Sequence, residues 1–534
     1  MVTGLSARLQ PLTSLILPVA VVVVAIAIIG PAVMPGLGFW DTGEFQTVPP
    51  ILGTMHPTGY PTYVLLGFVV NLLLTPIGEP AYRMNVMSLL SVAAAAALAA
   101  STIRVLTGRA VVGAAVGIGL ALTPVVWGIA TRADAHALHL AFVALLIALL
   151  VRWERAPRDE GRAITTGADR WLIGAAVVFG LAAGNHSLTL LLALPIALFV
   201  LAVEPEIVRR PRLIAGCLVA AFGSLALVYL ELPLRAGPFR ASLVYADPDT
   251  WDGFWYIALA EQFRGVLGNP FADLAPKLGG LAELGLRQLG SLAYAVPIAF
   301  VVTAARLPRF ALLTGSAFLI TVLFNAAYSN ADLGRYYLGP VLLTWLWIGV
   351  LAATVVDRAM AMADRTGEPG EPREPKELDG YERDLGRRRG ELGLAATMAV
   401  LLLLPTASGF PTRAAQLDRS SDTSAERWLD AMFETLPEDS VVVTWWSYST
   451  ALWYGQHVEG RRPDIMIIDD RTLLDLHLGE AADAVATFMD QRPVYVIRAN
   501  GHDLELVLER FDLEALADPT LYNVWHVTGR RAPA

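Results

Sequence analysis

Charge and cysteine are what this sequence is short of. Charged residues make up 17% of its 534 positions and apolar residues 55%. Soluble globular chains carry about 25% charged residues, so a set of ordinary soluble domains is excluded. The single cysteine, Cys217, stands in an apolar run; it cannot form an internal disulfide and reports nothing about redox compartment. A net charge of -9 excludes the basic footprint of a nucleic-acid binder. What the sequence has in abundance is apolar length. A hydrocarbon core about 30 Å thick takes roughly 20 apolar residues in helix, and runs of that size recur through the first 410 residues.

These runs predict an all-α polytopic membrane bundle with about eleven transmembrane helices, at 12–33, 84–103, 110–130, 136–152, 171–184, 187–203, 213–232, 285–304, 310–328, 336–356 and 391–409. The first run is too long for the apolar part of a signal peptide and reads as a retained anchor. The apolar segment 63–74 is only about a dozen residues long, which suits an interfacial or re-entrant helix. With that segment not crossing, 21 of the 29 Lys and Arg before the tail fall on one side. The positive-inside rule makes that side cytoplasmic. The amino terminus is then inside and the tail outside, in the inner (plasma) membrane of the cell. The stretch 366–379, rich in Gly, Pro, Glu and Lys, reads as a flexible linker.

Residues 1–410 form the expected transmembrane domain and 411–534 a small extracytoplasmic α/β domain, with strands at 441–444, 465–468 and 494–497 and helices at 424–435 and 503–511. The tail holds no glycine-rich phosphate loop, metal-spaced His/Cys set or Ser-His-Asp arrangement. Substrate recognition or a cover is the role that remains.

The polar oddities cluster in the expected outer loops. Asp41-Thr-Gly-Glu44 follows the first span; two carboxylates beside a membrane are costly unless they have a task. A general base needs such a setting, while an N-capping Asp41 with Glu44 as its capping-box partner is the structural alternative. His56-Pro-Thr-Gly-Tyr60-Pro makes a stiff turn, either for chain reversal or to hold a ligand. Arg132, Asp134 and His136 stand at a membrane border, as a functional cluster or a snorkelling helix end. Asn185-His186 interrupts an apolar run. Arg235 and Arg335 each put a guanidinium at the outer border; such a group suits phosphate, and also serves as an anchor.

Taken in order, Asp41-x-Gly-Glu44-Phe, His56-Pro-x-Gly-Tyr-Pro, Gly180-Leu-x-x-Gly-Asn185-His186, Leu232-Pro-Leu-Arg235, Asp332 with Tyr336-Tyr337, and Arg462-Pro-Asp464 resemble a bacterial family of multi-span membrane proteins. That family was long catalogued as a domain of unknown function and is related to an endoplasmic-reticulum O-mannosyltransferase. The resemblance covers nearly the whole chain and implies a GT-C glycosyltransferase that takes a monosaccharide, mannose by that relation, from a polyprenyl phosphate. It implies Asp41 as general base assisted by Glu44, and Arg335, Arg235, His186, Asn185, His56 and Tyr336 around the donor. Asp134, His136 and Arg132 come second, because the family has Glu-Val-Tyr where Asp134-Ala-His136 stands; Pro in the family where Thr58 stands is a milder departure.

The implied partners are the bilayer, the lipid-linked sugar and a protein or glycan acceptor, with no cofactor beyond the donor. No metal is expected, since none of these segments holds an Asp-x-Asp pair. A lipid-linked glycan flippase and a non-catalytic glycan-binding scaffold are the alternatives; the absence of an inverted repeat and the clustering of polar groups at one face count against transport.

Overall fold

The computed structural model describes residues 2–157, 166–329, 332–366, 377–498 and 502–531. Most of the linker expected at 366–379 lies outside these residues. Among the described residues nine helices are long and apolar enough to cross a membrane, or ten if a bent pair counts as one span. The expected count of eleven is reduced at two places. The run 110–130 is two helices, Ala110–Ala121 and Pro124–Ala130, set at 68°. Pro124 lacks the N–H needed to continue the helix, and Thr123 before it is extended. The run 187–203 is a short 3-10 turn followed by the helix Ala193–Val203, 17 residues that fall short of a straight crossing. Pro61–Leu73 is a helix of 13 residues, as its sequence predicts for a segment that does not cross.

The bundle is organised round the helix Pro80–Thr107. Pro80 at its first turn and Gly108, at φ 76 just past its end, set its limits. Its alanine-rich middle, Ala93 to Ala100, is almost wholly buried and lets neighbours come close, as small residues do between membrane helices. A β-carbon on Gly113 would lie 2.5 Å from the carbonyl of Ala100, and one on Gly117 2.5 Å from that of Ala96. Two indoles that reach the same core find partners: Trp345 donates to Thr123 and Trp347 to Thr314, each at 2.8 Å.

The tail folds as an α/β unit with a five-stranded sheet. Strands β1 (Val441–Val443), β2 (Met466–Ile468) and β3 (Val494–Ile497) are parallel, with β1 between the others. Strand β5 (Val524–Arg530) lies antiparallel beside β3, and β4 (Phe511–Ala515) closes that edge antiparallel to β5. The helix expected at 503–511 ends at Leu508, and Phe511 opens a strand instead. The alternation in Phe511–Ala515 is weak, with one buried residue in five; that is an edge strand's pattern, and it gives little periodic signal.

Gly117→Leu places a branched side chain against a main-chain oxygen that cannot move away. Overpacking of this kind costs roughly 1–3 kcal/mol, so the detergent-solubilised protein should melt measurably lower than the parent by light-scattering thermal denaturation, whereas Gly216→Leu, in open space, should not.

Candidate active site

The loop leaving the first span is fixed before it reaches the acidic pair. Gln46 accepts from the Gly38 amide and donates to Gly36 and Asn85, and Asn85 donates to the Met34 and Gly36 carbonyls. The helix Asp41–Ile51 then starts at Asp41 itself; the residue in the cap position is Trp40, whose side chain makes no capping bond. The capping-box alternative therefore does not hold, because both carboxylates are engaged elsewhere. Glu44, 1% exposed, accepts from the His56 amide at 2.9 Å and from the His56 imidazole Nδ1. Asp41 accepts from the Arg335 guanidinium at 2.7 Å on Oδ2 and from the Trp446 indole at 3.3 Å on Oδ1.

Arg335 is the meeting point of the site. It is carried on the 3-10 turn Leu333–Tyr337 that leads into the helix Leu338–Thr366. Besides Asp41, it faces Asp134 at 3.8 Å and Asp332 at 3.9 Å, and Asp332 also faces Arg132 at 3.8 Å. Asp134 caps the helix Ala135–Arg155 by accepting from the His136 amide at 2.8 Å, and it holds the His136 ring Nδ1 at 3.0 Å. A hydrogen bond between charged partners contributes about 1.5–3 kcal/mol, and here one cation serves three acids.

Burial works against ionisation of Asp41, but His56 and Arg335 outweigh it and hold the carboxyl below its ordinary range. At His56 burial disfavours the cation, while Glu44 more than compensates and raises its affinity for the proton.

These groups line a cavity of about 680 Å³, within the size range of small-molecule sites. Asp41, His56, Asp134, His186, Arg335 and Tyr336 all face it, with Arg132 at the rim. His136 lies beneath, its ring 4.5 Å from that of His186 and 5.2 Å from that of Tyr336. Glu44 is not among the lining residues and meets the cavity only through His56, and two further residues singled out from sequence are not brought in. Arg235 donates to the Leu52 and Ile51 carbonyls at 2.6 and 3.2 Å and so closes the far end of the Asp41 helix. Asn185 donates to the Ala135 carbonyl at 3.1 Å, tying its turn to the start of the His136 helix.

Sequence reasoning missed Trp446, Tyr245 and Phe263, which also wall the cavity. For Trp446 a signal exists: it follows the carboxyl end of the first parallel strand, where α/β sheets place their functional loops. An Asp-x-Asp pair does occur in the long loop, Asp247-Pro-Asp249, but outside the cavity, with Asp247 bonding Arg240 at 3.2 Å. Among the described residues no three His, Cys, Asp or Glu are grouped so as to hold a metal ion.

The bundle, the acidic first loop and the sheet-bearing tail define a multi-pass membrane protein with the GT-C fold. The resemblance read from the motifs is found independently: residues 41–207 match the family model described as the N-terminal domain of protein O-mannosyl-transferase TMEM260. The chain is similar to the mouse protein O-mannosyl-transferase TMEM260, 26% identical over 455 residues, which is 83% of this chain and 60% of that one. It thus spans about three fifths of the length of that relative. Among solved structures it is similar to ArnT from Cupriavidus metallidurans bound to undecaprenyl phosphate, with TM-score 0.58 and 15% identity over 95% of this chain and 97% of that one. It is also similar to the oligosaccharyltransferase AglB from Archaeoglobus fulgidus in complex with an inhibitory peptide and a dolichol-phosphate, with TM-score 0.51 and 13% identity over 98% and 74%.

Because the folded His56 binds its proton more tightly than a free histidine of 6.5, its pairing with Glu44 stabilises the fold fully below that pH and is lost as pH rises through the folded value. The melting temperature of the parent should therefore fall from pH 6 towards pH 9 more steeply than that of Glu44→Gln, and the His56 ring proton, followed by NMR, should titrate at lower pH in the variant.

Proposed function

We propose that the protein is a membrane glycosyltransferase that moves a monosaccharide from a polyprenyl-phosphate donor to an acceptor hydroxyl on the extracytoplasmic side. The observation that carries this reading is the Arg335–Asp41 pair inside the cavity, 294 residues apart in sequence. A guanidinium fork suits phosphate as well as carboxylate, so in the ligand-free protein Asp41 occupies the place that a donor phosphate contests. Once the phosphate takes Arg335, Asp41 is released from the cation that hydrogen-bonds to it and becomes a better base.

In the reaction Asp41 accepts the proton of the acceptor hydroxyl while that oxygen bonds to the anomeric carbon. The bond from that carbon to the phosphate oxygen breaks, and polyprenyl phosphate leaves with its charge on Arg335. A single displacement with one base inverts the anomeric centre. Glu44 holds His56 against the sugar-facing wall, and Tyr336 and His186 border the donor. Arg132 shares Asp332 with Arg335 and stands ready as a second cation for the phosphate.

A narrow apolar fissure of about 40 Å³ opens beside Arg335 and Tyr336, between the helices that carry Leu146, Ile196, Leu313 and Leu343. It marks a course for the prenyl chain. The lipid phosphates bound in the two structural neighbours and the mouse relative's name support a lipid donor and mannose as the first sugar to try. The arginine-rich loops on the opposite side support an extracytoplasmic site, and the acceptor peptide tethered in another structure of the Archaeoglobus fulgidus oligosaccharyltransferase supports a protein acceptor.

The test is transfer of radiolabel from a panel of polyprenyl-phosphate sugars to total envelope acceptors, in membranes with the parent protein, Asp41→Asn, Arg335→Gln or none. Parent-dependent label is expected from one donor, with Asp41→Asn lowering its rate about 10²–10⁴-fold and Arg335→Gln about 10²–10³-fold. If no donor gives parent-dependent label while purified protein still binds or moves the lipids, a scaffold or flippase replaces the enzyme.

A further inference from the structure

Among the described residues lining the cavity, Trp446 is the one that belongs to the tail. It opens the helix Trp446–Trp453, directly after β1. Its ring stands edge-on to His56 at 5.4 Å and to Trp453 at 5.5 Å, so the indole has one orientation and its N–H points at Asp41 Oδ1. The helix that carries it is clamped to the membrane part. The Trp40 amide donates to Ser447 at 3.1 Å, Thr47 to the Thr450 carbonyl at 3.4 Å, and the Ala81 amide to the Tyr454 hydroxyl at 3.2 Å. Gly43 permits the approach: a β-carbon there would lie 2.7 Å from Thr450 Oγ1.

We propose that Trp446 is a positioning residue for Asp41, and hence that the tail is a working part of the transfer site as well as its cover; this rests on the transferase reading above. The two carboxylate oxygens of Asp41 have different partners, a cation on Oδ2 and a neutral donor on Oδ1. When a donor phosphate takes the cation, the indole remains as the fixed bond. It holds Oδ1 and leaves Oδ2 turned to the acceptor hydroxyl. A neutral N–H orients a carboxylate while costing it less basicity than a guanidinium does. Packing alone would need the ring and not its nitrogen.

Trp446→Phe separates the two, because it keeps an aromatic ring and removes the donor. In the full chain with the donor identified above, kcat should fall about tenfold with the donor KM within about twofold. The acid limb of the rate profile should move to higher pH, since Asp41 loses a bond to its charged form, and the melting temperature should stay at that of the parent. In the parent, the indole ¹⁵N–¹H resonance that disappears in Trp446→Phe should shift with pH, and in Asp41→Asn that shift should be lost.

A Trp446→Phe protein with parental kcat and pH profile, or an indole resonance indifferent to Asp41→Asn, overturns the proposal. So does a rate loss matched by a fall in melting temperature, which would make Trp446 a packing residue. A parent without transfer from any donor overturns the transferase reading itself, and is recognised by the parent's own inactivity.

Discussion

One guanidinium among three carboxylates is the constraint on which the arrangement of this protein depends. Arg335 brings a late turn of the chain to Asp41 in the first loop and to Asp134 at the head of another helix. Each of those acids is set in place by something unrelated to the cation: Asp41 by the start of its helix, Asp134 by capping its own. The charge is mostly buried, with 14% of the side chain exposed, and a buried charge needs paired and hydrogen-bonded neighbours to be tolerable. Much of the surrounding structure supplies that setting. Asn85 holds the first loop, Asn185 the turn beside His136, and Arg235 the far end of the Asp41 helix. Residues that look like chemistry in the sequence thus divide into those that face the cavity and those that hold the facing residues still.

That division was only partly legible in the sequence. Apolar length gave the bundle, because the hydrocarbon core imposes a length on any straight crossing. It could not give the bend at Pro124 or the 3-10 start at Ser187, where a run has the right composition and the wrong shape. Asp41, His56, Asp134 and Arg335 stood out because charge at a membrane border is expensive. Arg235 stood out for the same reason, and yet its partners are carbonyls. A cation that caps a helix end has the same sequence signature as one that binds phosphate, and only the distance to Leu52 tells them apart.

The tail shows the opposite failure. Its three parallel strands were visible as short apolar runs, but an indole at the start of a helix carries no charge, so Trp446 made no claim on attention. Its place follows from topology. β1 lies between β2 and β3 in parallel, so the segment after it emerges at the carboxyl edge of the sheet, and that edge faces the membrane part at Trp40 and Ser447. A sheet edge pressed against a helix bundle makes one cavity wall from two units that are far apart in the chain.

The distance along the chain between the two partners of Asp41 has a bearing on how the protein comes into being. Trp446 lies 405 residues beyond Asp41. At roughly 5–20 residues per second of synthesis, Asp41 leaves the ribosome about 20–80 s before the indole that meets it. For the first 294 residues of that stretch Arg335 has yet to follow and the acidic loop has neither of its partners; for the remainder it has the cation alone. The site comes to completion only once the segment after β1 has been made, and a ribosome that stops short of it leaves behind a bundle whose carboxylate has nothing to hold its second oxygen.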